Sequence, residues 1–254
     1  MPRSRLPIVL AVAVLAIALG GIVVVQQFLA GDDVARLTLA PSPAASTALP
    51  SDRATDDPRP SPTGTAGPGV VTAADLAGTW SVAGGSVVGY RVREQLGGIS
   101  ALTDAVGRTR AVSGSATLGA SDDALVVTAA SFEADLTQLE SDDGRRDNRI
   151  RTMGLASSAF PTATFVLASP IEVPVAALSG ATIDVEMTGD LTIHGVTRRV
   201  TIPGQTRLSG DRIEVAGSLT FPFSDFGMTP PDIAGFVQVE DDATLELLLS
   251  LAAA

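Results

Sequence analysis

The chain has 254 residues, a formal net charge of −11, 17 basic side chains that are all arginine, and no cysteine. The acidic balance repels phosphate backbones and speaks against nucleic-acid binding, while the missing thiols exclude disulfides, cysteine nucleophiles and thiolate metal sites. Hydrophobic residues make up 45% but aromatics only 4%, so any core is built mainly from Ala, Val and Leu.

The N-terminus opens with Arg3 and Arg5, followed by an uncharged run from Leu6 to Gly31 and then Asp32 and Asp33. A membrane span needs about 20 mostly apolar residues, with its basic flank on the cytoplasmic side. Residues 1–31 are therefore expected to form a single-pass anchor, N-terminus inside, with the remainder of the chain outside the cytoplasmic membrane. A cleaved signal peptide is the alternative, but its apolar region is ordinarily about 7–15 residues, and Phe28 occupies a position where a small residue is preferred. Residues 32–74 are rich in Pro, Ser, Ala, Thr and Asp. Such a composition cannot bury enough apolar surface to offset chain entropy, so a disordered linker is expected.

From residue 75 to 254 the pattern is period two, which signals half-buried strands. In "VVTAASFEADL" the expected inward set is Val126, Thr128, Ala130, Phe132, Ala134 and Leu136. In "ATIDVEMTGDLTI" it is Ile183, Val185, Met187, Leu191 and Ile193. In "DRIEVAGSLTFPF" it is Ile213, Val215, Leu219, Phe221 and Phe223, and "TLELLLSL" gives Leu245, Leu247, Leu249 and Leu251. With shorter runs such as "VVGYRVRE" and "TATFVLAS", about eight strands are expected. Close spacing and the scarcity of helical segments imply antiparallel pairing, closed into a barrel or split into a sandwich.

One stretch interrupts this regularity. "GRRDNRIRTMGLASSAFPTATF" carries Arg145, Arg146, Arg149 and Arg151 around Asp147. It reads as a long connection between strands in which Asp147 pairs with neighbouring arginines, Arg146 and Asp147 serving as its pin. The functional alternative is that some of these arginines face a ligand head group or an anionic surface. Chemistry is otherwise sparse. His194 is the sole histidine and sits at a strand end, read as an exposed turn residue. One histidine without cysteine does not make an ordinary zinc site, "ESDDG" and "EDD" lack the spacing of an EF-hand, and no Gly-x-Ser-x-Gly elbow or phosphate loop is present. No catalytic residue, metal or cofactor is expected.

Three blocks in order carry a family resemblance: Arg146-Asp147 with Ile150-Arg151 and "FPTATF" (Pro161, Phe165); "GDLTIHGVTRRVTIP" with Gly195-Val196-Thr197; and "FSDFGMTPP" before the last strand. Together they resemble the YceI-like family of polyisoprenoid- and lipid-binding proteins, over roughly Thr79 to Leu251. The segment "REQLGGISALTDAVGRTRAVSG" departs from the family pattern near what would be the barrel mouth. The resemblance implies an all-β, antiparallel, eight-stranded lipocalin-like barrel with a helical or loop rim. It also implies a ligand that is an isoprenoid or another long-chain amphipathic lipid, such as one with a fatty-acyl tail. Some relatives pair their barrels, which leaves a homodimer open.

Strand alternation places Tyr90, Phe132, Phe165, Val185, Met187, Leu219, Phe221 and Phe223 toward the interior, as walls of a lipid cavity. Arg146, Asp147, Ile150, Arg151, Phe226, Met228 and Phe236 fall on its rim or near a head group. Composition alone leaves two readings open: a hollow barrel that binds lipid, and a filled β-module that acts through its surface.

Overall fold

The computed structural model describes residues 34–40, 71–96, 102–121, 124–233 and 237–254. The expected anchor at 1–31, most of the expected linker and Phe236 lie outside these residues. Among the described residues, no helix is long and apolar enough to cross a membrane.

The period-two segments form β1 (Gly78–Val82), β2 (Val87–Leu96), β3 (Leu102–Thr109), β4 (Val112–Ala120), β5 (Ala124–Asp135) and β6 (Thr162–Leu167). They continue as β7 (Ile171–Pro174), β8 (Ile183–Ile193), β9 (Val196–Ser209), β10 (Arg212–Pro222), β11 (Asp232–Ile233) and β12 (Val237–Ala253). The pairing of these strands is antiparallel throughout. Eight of them, β1, β4, β5, β6, β8, β9, β10 and β12, close into a ring, because β1 pairs with both β4 and β12. The protein is thus an antiparallel eight-stranded barrel. Closure leaves the ring without free edges. β2 and β3 extend the wall beyond β1 along β12.

The short helix α1 (Ala73–Leu76) covers one end of the barrel, and Trp80 Nε1 donates to Leu76 O at 2.8 Å there. Trp80 is buried and packs with Leu118, Leu125, Leu249 and Leu251 into the core cluster at this closed end. A second cluster, with Phe221, Phe223, Phe226, Leu191 and Ile193, sits at the opposite end. The β8–β9 hairpin turns there through His194 and Gly195, both at positive φ (52° and 74°), as a two-residue turn that matches strand twist requires. His194 is not the exposed residue that its turn position implies. It is half-buried, and its ring lies 4.2 Å from that of Phe160.

Two expectations need correction. The arginine-rich stretch is not a loop: it forms α2 (Gly144–Thr152), capped by Asp143, whose carboxylate accepts from Arg145 N at 2.7 Å. In β5, Val126 and Thr128 do not share the inward face with Phe132. The β4–β5 register slips between Thr117 and Leu118, an extra residue in β5 inverts the alternation, and Leu125 and Val127 turn inward instead. A β-bulge changes face in this way without any mark in the hydrophobic pattern.

Candidate functional site

The barrel encloses a cavity of about 810 Å³. Its volume depends on how the large inward side chains are seated. Tyr90 on β2 faces Gly107 on β3, and a Cβ at residue 107 would stand 2.3 Å from the Tyr90 ring. Phe132 pairs with Gly114, the Phe165 ring lies against Gly189, and the Met187 methyl lies over Gly204 and Gly217. Each bulky group thus lies in space that the neighbouring strand leaves by carrying glycine, and the centre stays open. The remaining wall is aliphatic: Val185, Val215, Leu245, Leu247 and Leu249 all face the cavity.

Of the interior residues expected from alternation, Tyr90, Phe132, Phe165, Val185, Met187, Phe221 and Phe223 lie on the cavity wall. Leu219 does not; it packs between the two core clusters. Of the expected rim, Arg146, Ile150 and Met228 line the cavity, whereas Asp147 and Arg151 do not reach it. Phe226 is buried, edge-on to Phe221 with ring centroids 4.8 Å apart, and supports the rim from behind.

Most polar groups of the lining gather at the end opposite Trp80. Arg146 Nη2 donates to Glu94 Oε1 at 2.6 Å, with side chains 19% and 9% exposed, and Arg146 Nη1 also bonds Asp142. Burial on its own would lower the Arg146 pKa. The hydrogen bonds and charges of Glu94 and Asp142 outweigh it and hold the guanidinium above its ordinary value. Tyr90 Oη is buried without a hydrogen-bond partner among the described residues, and its pKa is pushed upward, chiefly by desolvation. Asp147 does not pair with arginine as expected. Its carboxylate accepts from Ser141 N at 3.0 Å and Ser141 Oγ at 2.6 Å, fixing the entry to α2. Met153 and Leu155, on the segment after α2, complete this mouth.

Sequence reasoning missed Glu94. The signal was available, because Tyr90, Val92 and Glu94 alternate along β2, and a carboxylate placed inward by that alternation requires a cationic partner. The arrangement offers an apolar chamber whose mouth carries Arg146 and Arg149 of α2, the Tyr90 phenol and the carboxylates of Glu94 and Asp142. Among the described residues, no three His, Cys, Asp or Glu side chains gather as a metal site.

A family model described as YceI-like domain matches residues 81–251. Comparison with curated proteins gives no match. Among solved structures, a polyisoprenoid binding domain from Saccharophagus degradans, implicated in plant cell wall breakdown, is 19% identical with a TM-score of 0.50, over 70% of this chain and 99% of that one. BcnA of Burkholderia cenocepacia is 20% identical with a TM-score of 0.46, over 63% and 95% of the two chains. The Campylobacter jejuni YCEI protein is 16% identical with a TM-score of 0.43, over 57% and 82%. At these identities the first likeness is one of fold.

Proposed function

The chain belongs to the YceI-like family, and on that premise we propose that it is a binding protein, not an enzyme, whose barrel holds the tail of a polyisoprenoid or another long-chain amphipathic lipid. The observation that carries this reading is the aliphatic cavity of about 810 Å³, within the roughly 300–1,000 Å³ of small-molecule sites. Transfer of a hydrocarbon tail from water into such a chamber gains about 25 cal/mol per Å² of apolar surface buried. Arg146 and the Tyr90 hydroxyl are the head-group contacts: one a charge at the mouth, the other a donor without a partner among the described residues. The name of the Saccharophagus domain is consistent with this ligand class.

The uncharged run before Gly31 supports the further reading that the protein is anchored in the cytoplasmic membrane with the barrel outside. Full-length protein, purified and extracted with organic solvent, is expected to release a long-chain lipid by mass spectrometry. It is also expected to bind a fluorescent isoprenoid probe in competition with that lipid. A protein that carries no lipid and binds no probe would sink the proposal and leave the filled β-module as the better account. Reporter fusions at the C-terminus test the topology separately.

A further inference from the structure

Arg91 on β2 and Glu246 on β12 point away from the cavity, yet their side chains are only 5% and 2% exposed. Part of what covers them is residues 34–40. Arg91 Nη2 donates to Val34 O at 2.7 Å while its other nitrogens bond Glu246 and Asp104, each at 2.8 Å. Arg108 donates to Ala35 O, and Arg36 reaches Glu246 at 3.8 Å. Farther along, Arg207, held by Glu214, donates to Ala40 O. Three barrel arginines thus each satisfy one carbonyl of a seven-residue stretch that the linker composition does not single out.

The direction of this stretch matters. Val34 lies against Arg91, which adjoins Tyr90 on β2 and also bonds Asp104 on β3, and Val34 and Asp104 both line the cavity. Ala40 lies at Arg207, next to the β9–β10 turn that follows Ser209, at the opposite end of the barrel. The apolar run ends at Gly31, and three residues span at most about 11 Å. Ala40 and α1, the described elements on either side of residues 41–70, both lie at the closed end.

We propose that residues 34–40 are a strap that turns the mouth of the barrel toward the bilayer from which the chain emerges, so that lipid passes between lumen and membrane directly. The inference rests on the anchored, lipid-binding reading above. The absence of native cysteine allows a clean test with full-length protein in phosphatidylcholine vesicles. Thr152→Cys, at the mouth, and Asp211→Cys, at the far turn, each carry a fluorophore, and nitroxide head-group lipids serve as quenchers. Strong quenching at 152 with none at 211 is expected, and that difference is expected to vanish when residues 34–40 are replaced by Gly and Ser at equal length. Failure to co-float with the vesicles would overturn the anchor and the orientation together. Co-flotation with equal quenching at both sites would overturn the orientation, and a difference that survives strap replacement would overturn the strap as its cause; either leaves the anchor and lipid binding standing.

Discussion

The ring of Tyr90 rests on Gly107, so close that a Cβ there would stand 2.3 Å from the ring edge. No real Cβ tolerates that distance, so Gly107→Ala must push the phenol into the cavity. Because the neighbouring space is open, the ring has room to swing. The expected cost is about 1–3 kcal/mol, the usual range for overpacking, with folding retained. Probe affinity is expected to fall, because the displaced ring occupies ligand volume. Chemical denaturation and probe titration of the same variant check both; a variant that loses stability but binds as before would show that the Tyr90 end does not take ligand.

The mouth arginine and its neighbouring aspartate separate by consequence. Arg146→Ala leaves Glu94, 9% exposed, without its cation, and breaking a buried pair costs about 3–5 kcal/mol; solvent access to Arg146 places the expectation near the lower figure. Asp147→Ala removes hydrogen bonds to Ser141, a loss of about 1–2 kcal/mol. Only Arg146→Ala is expected to weaken probe binding as well. Denaturant midpoints that rank the two in reverse order would contradict the pairing described here.

Much of the barrel was legible because β8, β10 and β12 keep strict alternation, and a side-chain period of two maps directly onto an inside and an outside. β5 was misread because its bulge shifts the face by one residue, and no side chain announces the shift. α2 was not legible for another reason: Ile150 is its only apolar side chain, so no helical stripe exists, and Asp143 before Gly144 is the one cap signal that the sequence carries. The seating of Tyr90 on Gly107 was not legible, since it depends on the β2–β3 register. Nor was the docking of residues 34–40, whose partners bond to backbone carbonyls that every sequence possesses.

The chain has one tyrosine, no lysine and no cysteine, so Tyr90 is the side chain that titrates in the alkaline range below arginine. Burial raises its pKa above the ordinary value, about 10 for a free phenol. A raised folded-state pKa means that the unfolded chain loses this proton first. The contribution of neutral Tyr90 is therefore complete below about pH 10 and is lost as pH rises through the folded value. Wild-type stability is expected to decline above that point, and Tyr90→Phe is expected to flatten the decline. Because Tyr90 Oη has no partner among the described residues, the substitution is expected to cost little at neutral pH. Tyrosinate absorbance against pH, in folded and denatured protein, measures the shift directly; coincident titrations would refute it.

Met187 offers the sharpest separation of a hollow barrel from a filled one. Its methyl lies where a Cβ on Gly204 or Gly217 would come within 2.8 or 2.9 Å, so the side chain already uses the space those glycines leave. Met187→Trp adds bulk that has nowhere to go but the lumen. In a hollow barrel the indole enters the cavity, circular dichroism stays near native, and isoprenoid-probe binding falls. In a filled core the same change overpacks the interior at a cost of about 1–3 kcal/mol, and the parent protein binds no probe. Glu186→Trp is the control, since Glu186 is exposed on the outer face of the same strand and is expected to change neither property. Loss of binding in the Met187 variant alone, with the fold intact, would place the ligand at the centre of β8. Equal loss in both variants would point to a general effect of tryptophan on the strand and would remove this support for the cavity.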